Sequence, residues 1–195
     1  MTEKSKKPMN PNKTTEAEAM FHEAEQARDG KDYENALKLF EKAAEMGYAP
    51  AYVETGELYD GWRDFELHDW DKAAYWTRKG VEAGDPSAMY LYGHLFELGH
   101  GVNRSAQKAF YWTNRAYETR VKRNENPQEE LRWLGNLHLH GIGTKLDAEK
   151  GIELMEQSAA LGYAAAMDDL GSAYYYGKNV EKDGSSGVMV GEEMS

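Results

Sequence analysis

Cysteine is absent from the 195 residues. That excludes a disulfide framework, a thiolate zinc site and a cysteine nucleophile. Long apolar runs are missing too: no stretch approaches the roughly 20 residues a membrane helix requires. The opening Met1-Thr-Glu-Lys-Ser-Lys-Lys-Pro-Met-Asn10 lacks the apolar core of a signal peptide. A cytoplasmic protein with no membrane partner is the expectation. Positive charge is in deficit, since 23 Lys and Arg against 34 Asp and Glu leave a net −11. That is the wrong sign for the phosphate backbone, so no nucleic-acid partner is expected. Residues 1–14 run against this trend, with Lys4, Lys6, Lys7 and Lys13 opposed only by Glu3. The six histidines, His22, His68, His94, His100, His138 and His140, include no pair at the i, i+4 spacing that puts two ligands on one helix face. No His-Glu-x-x-His, P-loop or Gly-x-Ser-x-Gly occurs. No cofactor or metal is expected.

Glycine is plentiful and its placement is periodic. Gly56, Gly93, Gly135 and Gly171 are separated by 37, 42 and 36 residues. Their settings are alike: Thr55-Gly56-Glu-Leu-Tyr59, Tyr92-Gly93-His-Leu-Phe96, Leu134-Gly135-Asn-Leu-His138 and Leu170-Gly171-Ser-Ala-Tyr174. A further glycine follows each, at Gly61, Gly99, Gly141 and Gly177, and two repeats add a third in Gly99-His-Gly101 and Gly141-Ile-Gly143. A second register runs through Asp32, Asp69, Ser105 and Asp147, each followed four residues later by a small residue: Ala36, Ala73, Ala109 and Gly151. Asp and Ser favour helix N-caps because their side-chain oxygen accepts an orphan N–H of the first turn, so a helix is predicted to start at each. Gly47, Gly84 and Gly162 then supply the left-handed stop expected at a helix C-terminus. In the Ser105 repeat Arg120 stands at that place, and the helical pattern runs on to about Arg123.

Each repeat therefore reads as a helix, a glycine loop, a second helix and a stop. Ala36, Leu37, Phe40, Ala43 and Ala44 form a stripe at helical spacing. Helices of this length draw most of their stability from packing on neighbours. A mid-helix glycine costs roughly 1 kcal/mol relative to alanine. The cost is tolerable at Gly56, Gly93, Gly135 and Gly171 if two helix backbones approach closely there.

The segment Ala88-Met-Tyr-Leu-Tyr-Gly-His-Leu-Phe-Glu-Leu-Gly-His-Gly-Val102, followed by Ala106-Gln-Lys-Ala-Phe-Tyr-Trp112, resembles a Sel1-like repeat. So does Ala73-Ala-Tyr-Trp76 running to Glu82-Ala-Gly84. The stretch from Ala17 to Gly47, with Asp32-Tyr33-Glu-Asn-Ala36 and no Gly-x-Gly loop, is more similar to the related tetratricopeptide repeat. The resemblance implies an all-α fold, a right-handed α/α solenoid of about four helical hairpins plus a C-terminal helix, over residues 15–177. Residues 1–14 are expected to be a basic, disordered tail. Residues 178–195 are expected to be a flexible Gly- and Ser-containing tail: Asp183 holds the capping register, but Gly184-Ser-Ser-Gly187 disfavours helix. Trp62, Phe65 and Trp70, in the loop that replaces Gly-x-Gly, read as tucked against the first helices.

In helical-hairpin repeats the first helices line the concave face. Carried over by register, that face holds the positions −3, +1, +4 and +5 from each marker glycine. They are Val53, Glu57 and Asp60; Tyr90, His94, Glu97 and Leu98; Arg132, Asn136, Leu139 and His140; and Asp168, Ser172, Tyr175 and Tyr176. With Ala24 at the marker place, the first hairpin adds Phe21, Glu25, Arg28 and Asp29. The expected partner-binding set is Glu57, Tyr90, His94, Glu97, Arg132, Asn136, His140, Asp168, Ser172, Tyr175 and Tyr176. Tyrosine, histidine, arginine and asparagine suit mixed polar and aromatic recognition. The function expected is a non-catalytic interaction scaffold or adaptor for a protein or peptide partner, with acidic residues steering a basic one. A bacterial immunity or regulatory protein is a special case. One alternative is an enzyme or metal-dependent protein in which His94, Arg132, His140, Asp168 and Tyr175 converge. Another is a protein that self-associates through its C-terminal end, where Tyr174, Tyr175 and Tyr176 adjoin. The neighbours Glu129-Glu130 and Asp168-Asp169 diverge by about 100° on a helix and read as solvated faces.

Overall fold

The computed structural model describes residues 11–61 and 65–176, with side chains for 14–61 and 66–175. Among the described residues the chain forms nine α-helices and no strand. They are α1 (Pro11–Asp29), α2 (Tyr33–Glu45), α3 (Ala49–Asp60), α4 (Trp70–Ala83), α5 (Pro86–Leu98), α6 (Ala106–Lys122), α7 (Gln128–His140), α8 (Ala148–Ala160) and α9 (Ala164–Tyr176). A 3-10 turn, Phe65–Leu67, precedes α4. α1 starts at Pro11, ahead of the predicted boundary at 15; proline suits a first helical turn because its missing N–H has no intrahelical partner there. The remaining tail expectations, for 1–10 and 178–195, lie outside the described residues.

The chain divides into an N-terminal unit, 1–104, and a C-terminal unit, 105–195. In the N-terminal unit α1 packs on α2, α2 on α3, α3 on α4 and α4 on α5. Its core is built from small residues with a few large ones between them: Ala17, Ala24, Ala36, Ala43 and Ala73 are fully buried around Phe40, Leu58 and Trp76. In the C-terminal unit α6 packs on α7, α7 on α8 and α8 on α9. Leu139, Ile152, Met155, Leu170 and Ala173 form one apolar cluster there, and Leu131, Leu134 and Leu154 another.

The predicted second-helix caps are in place. Asp32, Asp69, Ser105 and Asp147 each accept the backbone N–H three residues on, from Asn35, Lys72, Lys108 and Lys150. Asp85 caps α5 in the same way, ahead of Pro86. Gly47, Gly84 and Gly162 stop their helices at positive φ. In the Ser105 repeat α6 runs 17 residues to Lys122, and the left-handed position falls on Asn124, φ +57°. Asparagine tolerates that conformation better than other non-glycine residues.

The marker glycines sit at helix–helix contacts in two repeats. A Cβ on Gly56 would stand 2.6 Å from Thr77 Oγ1 of α4. One on Gly135 would stand 2.7 Å from both the Gly151 carbonyl oxygen and Met155 Cγ of α8. Gly171 departs from the expectation: among the described residues nothing lies within 4 Å of the same position. The segment that follows α9 in the repeat register lies outside the described residues.

The Gly-x-Gly loops have a division of labour. Gly99 and Gly141 are left-handed stops, φ +83° and +66°. Gly101 and Gly143 lie against the first turn of a preceding second helix, where a Cβ would collide with the carbonyl oxygen of Trp70 and of Ala106 respectively. Trp70 itself is only partly covered, at 39% exposure, and its ring stacks on His100 at 4.3 Å. Trp62 and the Phe65 side chain lie outside the described residues.

Candidate functional site

In the C-terminal unit the first helices are α7 and α9. Arg132 of α7 reaches across to α9, where its Nε donates to Asp169 Oδ2 at 2.6 Å. One and two turns further along, Asn136, Leu139 and His140 of α7, Met155 of α8 and Asp169, Ser172 and Ala173 of α9 enclose a cleft of about 200 Å³. Leu139, Met155 and Ala173 are buried and provide an apolar floor. The polar groups stand around it. His140 Nδ1 lies 3.0 Å from the Asn136 carbonyl oxygen. A carbonyl can only accept, so Nδ1 carries the hydrogen and Nε2 of the neutral ring is left as an acceptor.

Of the residues chosen by register, Asn136, His140 and Ser172 line this cleft, and Arg132 pairs with the Asp169 that lines it. On α9, Asp168 is exposed and does not line the cleft, whereas the next residue, Asp169, is the acid that meets Arg132 and lines it. Neighbouring residues diverge by about 100°, so only one of the pair can face α7. Leu139 belongs to the floor instead of the accessible surface. Tyr175 is 76% exposed, and the Tyr176 side chain lies outside the described residues. The other neighbouring acids divide likewise. Glu129 is exposed, whereas Glu130 is 1% exposed and accepts from Arg120 Nε at 2.6 Å. The solvated reading of Glu130 is therefore corrected: the extra turn of α6 brings Arg120 over it. Burial pushes the Glu130 carboxyl above the usual carboxylate range, with Arg120 opposing the rise.

In the N-terminal unit Glu57, Tyr90, His94 and Glu97 are half-buried on α3 and α5. Burial raises the Glu97 carboxyl against the pull of His94 and Arg104, and its Oε2 has no hydrogen-bond partner among the described residues. Arg28 of α1 donates from Nη1 to Glu54 of α3 at 2.6 Å. Val53 and Asp60, assigned to the accessible face by register, are 8% and 7% exposed. Asp60 Oδ1 lies 2.6 Å from His100 Nδ1, the residue between the two loop glycines. Of the alternative catalytic set, His94 belongs to this unit and the other four residues to the C-terminal one, where His140 alone lines the cleft. Among the described residues no group of three or more His, Asp or Glu is placed to hold a metal ion, and no helix is long and apolar enough to cross a membrane.

The family profile for the Sel1 repeat matches residues 25–48, 51–85, 86–118, 131–163 and 164–189. The chain belongs to the Sel1 repeat family. The interval from 119 to 130, between two matches, is the stretch where α6 overruns its stop and Asn124 replaces the glycine. The last Sel1 match begins with α9 and extends to 189, beyond the described residues. A Sel1 repeat protein of Oxalobacter formigenes superposes with a TM-score of 0.68 at 27% identity, covering 90% of this chain and 70% of that one. A protective antigen of uropathogenic Escherichia coli with an SLR fold superposes at 0.66 and 24% identity, covering 90% of this chain and 38% of that one. An uncharacterised protein of Neisseria meningitidis serogroup B is 27% identical over 139 residues. That match takes in 71% of this chain but 27% of the relative, so the chain spans about a quarter of that relative's length. Sel1 repeat proteins are in general non-catalytic scaffolds for protein–protein interaction.

The repeat frame also shows which cleft residue the register overlooked. Glu54 and Asp169 both stand two residues before a marker glycine, and both receive an arginine from the preceding first helix. An acid at −2 was the available signal.

Proposed function

We propose that this Sel1 repeat chain is a non-catalytic adaptor that holds a basic partner protein or peptide on the faces of its first helices. What supports the reading most is the cleft of the C-terminal unit, where Asn136, His140 and Ser172, chosen by repeat register, stand with Asp169 around an apolar floor and Arg132, from the same register, pairs with Asp169. The net charge of −11 suits a basic partner, because complementary charge steers the encounter. A bacterial immunity or regulatory protein that masks one effector is the finer form of this proposal. The test is affinity capture from the native cell, comparing the whole chain with a Tyr90→Ala, Arg132→Ala variant that retains its helical circular dichroism. A partner held by the first and lost by the second supports the reading; equal capture overturns it. With the captured partner, added salt should slow association more than it speeds dissociation, since screening acts on the long-range encounter.

Self-association through the C-terminal end is a second reading. It is favoured by α9, on which Met167 and Tyr175 are 50% and 76% exposed. Sedimentation of the whole chain and of Tyr175→Glu decides it. A dimer disrupted by the substitution supports self-association, and a monomer in both cases removes it.

A further inference from the structure

The cleft between α7, α8 and α9 separates its chemistry by depth. Its floor of Leu139, Met155 and Ala173 offers no hydrogen bond. Around the floor the available groups are mainly acceptors. Asp169 accepts only; Arg132 occupies Oδ2, leaving Oδ1. His140 Nε2 is an acceptor, because Nδ1 is committed to the Asn136 carbonyl. Ser172 and Asn136 can each accept as well as donate. The cleft also lies along the C-terminal half of α7, which ends at His140, and the carbonyl end of a helix favours positive charge. At about 200 Å³ it falls below the roughly 300 Å³ at which small-molecule pockets begin, and it suits a single side chain.

A group that meets these demands has an apolar stem and a positively charged tip that only donates. A carboxylate fails, because Asp169 repels it. Arginine fits less well: its fork is best satisfied by both oxygens of one carboxylate, and Arg132 of this chain already holds one. A lysine ammonium is a point charge with three rotatable donors on a four-carbon stem.

We propose that the cleft reads a lysine of the partner, with the stem over Leu139, Met155 and Ala173 and the ammonium at Asp169 Oδ1, His140 Nε2 and Ser172. The proposal rests on the adaptor reading and specifies what one part of the interaction face selects.

The experiment titrates the isotopically labelled whole chain, by NMR, with four capped peptides Gly-Ser-Ala-X-Ala-Ser-Gly, in which X is lysine, arginine, Nε-acetyl-lysine or norleucine. The lysine peptide should shift Asn136, His140 and Ser172 signals. It should bind at least tenfold more tightly than the acetyl-lysine and norleucine peptides and about threefold more tightly than the arginine peptide. Asp169→Asn should reduce lysine binding to the norleucine level. Because that change also loosens Arg132, Ser172→Leu provides a second variant: it fills the cleft from an exposed position, leaves the ion pair intact and should have the same effect. Norleucine binding as well as lysine, lysine binding undiminished in both variants, or no shift at the cleft with any peptide overturns the lysine pocket. The adaptor reading is judged separately by capture: a partner lost on Tyr90→Ala, Arg132→Ala but bound equally by Ser172→Leu sustains the adaptor and removes the pocket.

Discussion

Gly101 and Gly143 show how much one missing Cβ decides in this repeat. Each has positive φ, +63° and +71°, and each lies where a side chain would meet a main-chain carbonyl that no rotamer change can move. Gly162 has φ +86° as well, but no described atom lies within 4 Å of its Cβ position. The two kinds of glycine separate conformational strain from close approach. Gly162→Ala should cost about 1 kcal/mol, the strain of a left-handed alanine. Gly101→Ala carries that strain and the collision with Trp70, and should exceed Gly162→Ala by about 2 kcal/mol. Urea unfolding of the two variants makes the comparison, and equal losses would remove the close approach from the account. His100, between the loop glycines, is fixed on both sides, by Asp60 at 2.6 Å and by the face of Trp70. In the other Gly-x-Gly loop an apolar residue, Ile142, takes its place.

At the scale of the element, α7 and α8 meet through a reciprocal pair of glycines. A Cβ on Gly135 would press on the Gly151 carbonyl oxygen, and one on Gly151 would stand 2.8 Å from the Gly135 carbonyl oxygen. Gly135→Leu should therefore destabilise by more than about 2 kcal/mol; a change within ±0.5 kcal/mol by chemical denaturation would place that residue at the surface. This contact was legible in the sequence because periodicity exposes it: a glycine that recurs in mid-helix needs a reason, and backbone approach is one. The caps of α2, α4, α6 and α8 were legible in the same way. The overrun of α6 could be read from Arg120 at the stop position, but not its consequence. Nothing in the spacing says that the extra turn lays Arg120 over Glu130, since that depends on where α7 begins. For the candidate site, helix periodicity picked out Asn136, Leu139, His140 and Ser172, which line the cleft. It could not choose between Asp168 and Asp169, because a shift of one residue turns a side chain by about 100° and only the neighbouring helix fixes which of them is met. Asp60 and His100 were illegible as a pair because they lie forty residues apart and join through a loop.

At the scale of the whole molecule, the acidic excess of the sequence extends into partly or fully buried places, and this links stability to pH. Burial raises the carboxyls of Glu97 and Glu130 above their ordinary range. A raised carboxyl binds its proton more tightly in the folded state than in the unfolded one, where glutamate titrates near about 4.3. The stability contribution of each is fully present below that unfolded value and is lost as pH rises through the folded one. Glutamine keeps an oxygen that can accept from Arg120 Nε but never acquires the charge. The Glu97→Gln, Glu130→Gln variant should therefore lack this component. Its stability relative to the parent chain should improve as pH climbs from about 4.3 towards neutrality, then level off once both glutamates are ionised in the folded parent. Ion pairs such as Arg132–Asp169 and Arg28–Glu54 are common to both proteins, so the difference between the two isolates the raised carboxyls. Urea midpoints for both chains across pH 4 to 8 provide the measurement. A stability difference that stays flat over that range, or moves in favour of the parent as pH rises, would show that Glu97 and Glu130 ionise in the fold as readily as they do in the unfolded chain.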